Sequence, residues 1–435
     1  MSGFNITGLA SGIDTTSLIS QLMQVAAQPQ TQLKNQLATE NNVISAYQSI
    51  NTKLSAVQTA ALDLKSSTTW GASTVASSDS SVLATASSAA LAGSSATFNV
   101  TKVAQAQTST FASTGGVVKT GGGAFTLSVN GTGHTITPSS GSATDVASAI
   151  NLAGYGVRAA VVNTDSGQVL QLTSTSTGTN GAFTVTGLDG TQNDLVSAQN
   201  AQISVGDPLA GGYTVTSQTN TFANVVPGVT FSVSKLATNV TLSLTSDTKG
   251  IGDKVKAAVD SINAAYAEIG KDTAKGAVLA SQTVPQRLGQ SLLTVISNGV
   301  PSNGGSYSKY GINMDKNGVL TFDSAAFTAA FTADPTGTQA ALGTALGGAL
   351  NTATNLAIDP TKGSITTVIK SEQTTAANLT KSINSWTSRL TDMQSTMQQK
   401  YTAMESALSR LQSQSNWLTS ALKGLDANNS SSSGH

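Results

Sequence analysis

The chain has 435 residues, with 22 basic and 22 acidic side chains, and charged residues make up only 10% of it, against roughly 25% in an average soluble protein. The even balance leaves no electrostatic footprint for nucleic acid or an anionic membrane, and no stretch approaches the ~18 consecutive apolar residues of a membrane-spanning helix. Cysteine is absent, which excludes disulfides and thiol catalysis and argues against a zinc site.

The opening segment MSGFNITGLASGIDTTSL has no Lys or Arg ahead of an apolar block, so a cleaved Sec signal is not expected. From Thr15 the apolar set Leu18, Ile19, Leu22, Met23 and Val25 has helical spacing, with Asp14 or Thr15 as the cap. Pro29 interrupts this helix, or starts the next one from a first-turn position. Beyond it, Leu33, Leu37, Ile44, Tyr47, Ile50, Leu54, Val57, Ala61 and Leu64 alternate steps of three and four. That is the seam of a coiled coil, with one gap at Glu40.

Between roughly Trp70 and Lys249 the period changes to two. Ala96–Val103, Phe125–Val129, Val157–Val162, Val169–Thr173, Phe183–Thr186, Tyr213–Thr216, Val229–Val233 and Val240–Leu244 read as strands separated by Gly, Asn, Asp and Pro. A short helix is expected over Val146–Leu152, with Asp145 near its start. The helical period returns at Ile251, Val255, Ala258, Ile262, Ala265 and Ile269. Shorter helices are expected at Val284–Ser297 and Asp334–Asn355, and a hairpin at Tyr310–Phe322 turning on Asn317-Gly318.

The C-terminal end keeps a 3.5-residue beat through Ile365, Ile369, Ala376, Leu379, Ile383, Trp386, Leu390, Met393, Met397, Met404, Leu408, Leu411 and Leu418. No Pro or Gly lies between Ser364 and Lys423, so one helix on the order of 85–90 Å is expected at ~1.5 Å per residue. Gly424 reads as its stop. Such a rod needs a partner for its seam, and the N-terminal helix is the obvious one. The fold class is therefore α+β: a coiled-coil helical stalk formed by the N- and C-terminal segments, with mainly-β head domains inserted between them.

No HExxH, GxSxG, GxxxxGK[ST] or CxxC pattern occurs. Of the two histidines, His134 sits in a hairpin-like VNGTGHTIT stretch and His435 ends the sequence; a surface position explains His134 better than catalysis. Asn313-Met-Asp315-Lys-Asn317-Gly318 imitates the start of an EF-hand loop, but the twelfth position is Ser324 and the flanks read as strands. No catalytic residue, cofactor-binding residue or metal ligand is expected, and the chain does not read as an enzyme. The series Trp386, Met393, Met397, Met404 and Trp417 reads first as seam. Its flexible thioethers also suit a surface that repacks against successive partners.

Three blocks resemble the flagellar filament-capping family, FliD or hook-associated protein 2. The first is Ile6-Thr-Gly8-Leu9-Ala-Ser-Gly12-Ile13-Asp14-Thr15 with Leu18-Ile19 and Leu22-Met23. The second is Asn224-Val-Val-Pro227-Gly228-Val229-Thr230-Phe231, followed by Ser246-Asp247. The third joins Tyr310-Gly311-Ile312 and Asn317-Gly318-Val319-Leu320 to Tyr401-Thr-Ala-Met404-Glu405 and Leu411-Gln-Ser-Gln414. LSVNGTGHTI, DVASAIN and VLQLTSTSTG resemble a repeat shared by flagellin-related proteins.

The resemblance implies export through the flagellar type III apparatus, an extracellular position at the filament tip, and a self-assembled ring, often of five subunits, that guides flagellin into place. It implies flagellin, hook–filament junction proteins and an export chaperone as partners, without membrane insertion or nucleic acid. On this reading residues 1–40 form a flagellin-contacting terminal-helix segment, and 41–70 with 250–415 the stalk. Residues 71–108 with 200–249 form a first β domain, 109–199 a second one inserted in it, and 416–435 a C-terminal leg. Leu18, Leu22, Leu33, Leu37, Leu408, Leu411 and Leu418 are the expected flagellin or self contacts; Met404, Leu408, Leu411 and Trp417 are the expected chaperone contacts. The competing readings are flagellin or a junction protein, which share helical ends, and an adhesin whose β head binds host surface glycans.

Overall fold

The computed structural model describes residues 12, 14–206, 211–301 and 305–430, with side chains to residue 424. Most of the first motif block, residues 6–11 and Ile13, lies outside the described residues, as does His435.

The helices are α1 (Thr15–Ala26), α2 (Gln28–Lys65), α3 (Ser67–Trp70), α4 (Ala143–Ala153), α5 (Thr248–Thr273), α6 (Thr283–Ser297), α7 (Ser324–Ala333), α8 (Pro335–Thr338), α9 (Gly347–Ile358) and α10 (Ser364–Ser430). The strands up to the second α-helical stretch are β1 (Ser73–Ser77), β2 (Val82–Ala86), β3 (Ser95–Lys102), β4 (Thr108–Ala112), β5 (Phe125–Val129) and β6 (Thr132–Ile136). After α4 come β7 (Val157–Thr164), β8 (Gly167–Ser174), β9 (Phe183–Thr186), β10 (Asn193–Val196), β11 (Ala201–Val205) and β12 (Tyr213–Ser217). β13 (Thr221–Ala223), β14 (Val229–Val233) and β15 (Ala237–Ser246) precede α5, and β16 (Ile312–Met314) and β17 (Leu320–Phe322) follow α6. The chain divides into two units: residues up to Asp63 with Lys256–Ala326 and Thr336 onward, and Leu64–Val255 with Phe327–Pro335.

In the helical unit, α2 packs with α5, α9 and α10, as the shared apolar beat requires. Asp14, not Thr15, caps α1, its Oδ1 accepting from the Ser17 amide at 3.0 Å. The helix ends at Ala26, and α2 begins at Gln28 with Pro29 in its first turn, where a missing N–H costs no hydrogen bond. Tyr47, Ile50, Leu54, Val57 and Ala61 of α2 are buried, as are Val259, Ile262, Ala265 and Ile269 of α5 and Leu350 of α9. Ser49 Oγ donates to Glu268 Oε1 at 2.7 Å, joining α2 to α5. Gln30 Nε2 donates to Thr387 Oγ1 at 2.7 Å, joining α2 to α10. Asn263 exchanges two hydrogen bonds with the Leu320 backbone, 2.7 and 2.8 Å long, and so fastens the β16–β17 hairpin to α5.

Two expectations for this unit need correction. The segment Asp334–Asn355 is not one α-helix: between α8 and α9 residues Gln339–Leu346 form a π-helical stretch. Its wider turn re-aims Ala341, Leu342 and Leu346, all buried, from a sequence whose apolar spacing alone cannot distinguish the two helix types. Gly424 does not end α10, which continues to Ser430. Gly424 is not in the left-handed conformation of a terminating glycine, and no proline follows it.

In the other unit every strand pairing among the described residues is antiparallel. A five-stranded sheet, order β1-β15-β3-β11-β12, and a three-stranded sheet, order β13-β14-β2, share one core. Phe231 lies at its middle, 4.9 Å from the Phe98 ring and 5.4 Å from that of Phe222, centroid to centroid. The turn at Val226-Pro227-Gly228-Val229 closes with the Val229 amide donating to Val226 O at 2.9 Å. Gly228 has φ +75°, and a Cβ there would lie 2.5 Å from the Ala90 amide nitrogen, so both the turn and the close approach demand glycine.

A second core belongs to the four-stranded sheet β10-β4-β8-β7, the three-stranded sheet β6-β5-β9 and α4. Ser142 caps α4 by accepting from the Asp145 amide at 3.1 Å, which places Asp145 in the first turn. Seven strands were unmarked by period: β1, β2, β4, β6, β10, β11 and β13; β15 was marked only over Val240–Leu244. They are short and rich in Ser, Thr, Ala or Asn, so few large side chains register the alternation.

Candidate interaction surfaces

The seam of α10 changes character along its length. Ile365 is fully buried; Ile369, Ala376, Leu379, Ile383, Trp386 and Leu390 are half-buried; Leu411 and Leu418 are exposed. Helical geometry accounts for the stripe: Met404, Leu408, Leu411 and Leu418 are separated by four, three and seven residues, and so lie on one face. Trp417, 71% exposed, sits one position off that line. Met404 and Leu408 are half-buried.

α1 runs against α10 and buries Thr15 and Ile19. Leu18 and Leu22 remain exposed on it, while Leu33 and Leu37 of α2 are half-buried. The expected contact residues thus fall into two sets. Leu33, Leu37, Met404 and Leu408 are partly covered by the chain itself; Leu18, Leu22, Leu411, Trp417 and Leu418 are open. Two further open side chains, Val25 and Leu422, are 64% and 55% exposed. Their spacing, three after Leu22 and four after Leu418, is the signal that assigns them to the same stripes. Arg389 holds its guanidinium 4.6 Å from the Trp386 ring centroid, a cation–π contact that covers one seam aromatic with a charge.

The positions tested for chemistry are spoken for. His134 is paired with Leu127 in the β5–β6 hairpin and stacks on Tyr155, ring centroids 3.8 Å apart. Asp315 Oδ1 accepts from the Asn317 and Val319 amides, each at 2.8 Å, making a tight turn between β16 and β17 rather than a calcium loop. Asp194 accepts from Ser109 Oγ at 2.6 Å and from the Gln192 and Gln107 amides at 2.9 and 3.2 Å. These hydrogen bonds, Ser109 first, hold its carboxyl below the usual range and fasten β10 to β4. Among the described residues no group of three or more His, Cys, Asp or Glu side chains could hold a metal ion. No helix among them is long and apolar enough to cross a membrane.

Comparison with known proteins covers most of the chain. The family profile for the N-terminus of flagellar hook-associated protein 2 matches residues 11–107, and that for its C-terminus matches residues 198–413. Flagellar hook-associated protein 2 of Escherichia coli K12 is 30% identical over 230 residues, which are 47% of this chain and 49% of that protein. The O157:H7 protein of the same name aligns with the same figures. The aligned region therefore spans about half the length of these relatives. The crystal structure of the D1-D2-D3 domains of the flagellar cap protein FliD from Escherichia coli superposes with a TM-score of 0.57 at 25% identity, covering 75% of this chain and 99% of that one.

Proposed function

Because this chain belongs to the flagellar hook-associated protein 2 family, we propose that it caps the distal, extracellular end of a bacterial flagellar filament as a homo-oligomeric ring and guides exported flagellin into place. The observation that carries this reading within the molecule is the open apolar stripe on α1 and the end of α10, on helices whose other seam positions are mostly buried or half-buried. Exposed leucines at helical spacing need a covering surface, and a helix offering i, i+3, i+4, i+7 anchors is a standard way to engage another helix. Flagellin is the partner this function supplies.

On this proposal Leu18, Leu22, Leu411 and Leu418 contact flagellin or a neighbouring subunit, with Leu33, Leu37 and Leu408 completing the contact as the seam adjusts. Before export, Met404, Leu408, Leu411 and Trp417 would be held by a chaperone that covers the same stripe. The flexible thioether and the large indole suit a surface that exchanges one partner for another. The β sheets would form the plate that closes the tube, and a ring follows from a heterologous contact that closes on itself.

Deleting residues 1–27 tests the proposal in cells that lack the native cap. The truncated protein should remain folded by circular dichroism yet leave filaments ungrown, and motility restored by it would overturn the reading. Growth of long filaments from the purified full chain would favour a filament subunit instead.

A further inference from the structure

The α2 seam has one interruption and the α10 seam has three, and the fold places the first of those in α10 opposite the one in α2. In α2 the apolar steps break at Glu40; in α10 they break between Ile369 and Ala376, where Glu372 stands. The hydrogen bonds of Gln30 to Ile383 O and Thr387 Oγ1 fix an antiparallel register, and ten residues further along α2 Glu40 meets Glu372. Both side chains are half-buried. Glu40 Oε1 is shielded from solvent and has no hydrogen-bond partner when both carboxyls are ionised.

Among the described residues the groups acting on Glu40 include no cation; α6, which also packs on α10, carries Arg287. On α2, Lys34 is exposed, and on α10 Lys381 is exposed while Lys370 donates to Pro360 O at 2.7 Å. α9 and α1 carry no titratable side chain. On α5, Glu268 acts on Ser49 and Lys53 of α2 and, within α5, on Lys271 and Asp272. The phenol of Tyr47, one heptad along α2, faces Glu372 and is pushed up by burial and by that carboxylate. The hydrogen bond to Glu372, then burial, then repulsion by Glu372 push the Glu40 carboxyl up to about 7.

We propose that Glu40 and Glu372 form a proton-operated joint in the α2–α10 coiled coil, closed while the two carboxyls share one proton and loosened when that proton leaves. The proton supplies the only donor between two acceptors. Without it, two half-buried carboxylates face each other across a seam whose neighbours are apolar. The folded pKa lies above the ordinary 4.5, so the stabilisation is complete in acid and is lost as pH rises through about 7. The joint lies between the closed core and the open stripe, where loosening lets the stripe-bearing helices adjust without unfolding the core.

Hydrogen exchange of the full-length protein, followed on amides of residues 36–47 and 368–380, tests this. After correction for intrinsic exchange, opening of this stretch should rise about 10-fold from pH 6 to pH 8, the factor set by a carboxyl at about 7 when closed and near 4.5 when open. Glu40→Gln, which always carries a donor for Glu372, should abolish the rise and leave exchange in the β sheets unchanged. A carbon-13 titration of the wild-type carboxyls gives a second reading that needs no variant: Glu40 should titrate near neutrality. A flat wild-type exchange profile, a rise that persists in Glu40→Gln, or a Glu40 titration in the ordinary carboxylate range would each overturn the proposal.

Discussion

The same apolar beat has opposite fates at the two ends of the helical unit. Tyr47, Ile50, Leu54 and Ile365 are at most 1% exposed, whereas Leu411, Leu418 and Leu422 are 55–60% exposed. All are on helices with the same spacing of large apolar side chains, so spacing specifies a face and leaves open what covers it. Where α5 and α9 lie against α2, the face is a core. Where no other described element reaches it, the face is open, and on the function proposed above another molecule covers it.

The sharpest way to break this comparison is to truncate equivalent leucines at both ends. Leu54→Ala should cost about 3 kcal/mol in chemical denaturation, because the site is fully enclosed and leaves a cavity. Leu418→Ala should change stability by less than about 0.5 kcal/mol, since its side chain already meets solvent. Equal losses at the two sites would show that the open end is covered by the chain itself in solution. Leu411→Asp carries the comparison to function: stability should stay within about 0.5 kcal/mol, while affinity for flagellin falls at least about tenfold, or about 1.4 kcal/mol. A titration showing unchanged affinity would remove Leu411 from the contact.

Much of this was legible in the sequence for a physical reason. A long helix repeats its pattern many times, so Leu33 to Leu64 and Ile365 to Leu418 announce themselves, and even the faults at Glu40 and between Ile369 and Ala376 are visible. The facing of those two faults was not, because register across an antiparallel pair depends on turns and contacts far away in the chain. The strands were legible where β-branched and aromatic residues alternate, as in β14, with its buried Val229, Phe231 and Val233. They were not legible in β4, where Phe111 is the one large side chain, nor in β10, which is exposed throughout. The apolar spacing of the stripe was legible as far as Leu418, while Leu422 and the split into covered and open sets required knowing which helices lie alongside.

A smaller effect probes how firmly the open end is held. Asp14 caps α1 through the Ser17 amide, so Asp14→Ala should destabilise α1 by about 1 kcal/mol. The loss should appear as faster hydrogen exchange in residues 17–22, with exchange in the α2–α5 core unchanged. Faster exchange throughout α2 would mean that α1 is cooperative with the core, and the boundary between the closed and open regions would have to move.

The smallest expected effect comes from a carboxylate in the closed region whose sign is opposite to that of Glu40. Glu268 accepts from Ser49 Oγ across the α2–α5 contact, and this hydrogen bond, followed by that from Lys271, holds its carboxyl below the usual range. A depressed pKa means that the folded state favours the ionised form. The stabilisation is therefore present above the ordinary carboxylate range and is lost as pH falls through the folded value. Ser49→Ala should cost less than about 1 kcal/mol at neutral pH, because one charge-assisted hydrogen bond goes while Lys271 remains. The difference from the wild type should shrink on acidification as Glu268 protonates in both proteins. Acid thus weakens the contact at Ser49 while tightening the joint at Glu40, so the α2–α5 and α2–α10 contacts should respond to pH in opposite directions. Denaturation curves of Ser49→Ala that stay parallel to the wild type from pH 3 to pH 7 would contradict this division.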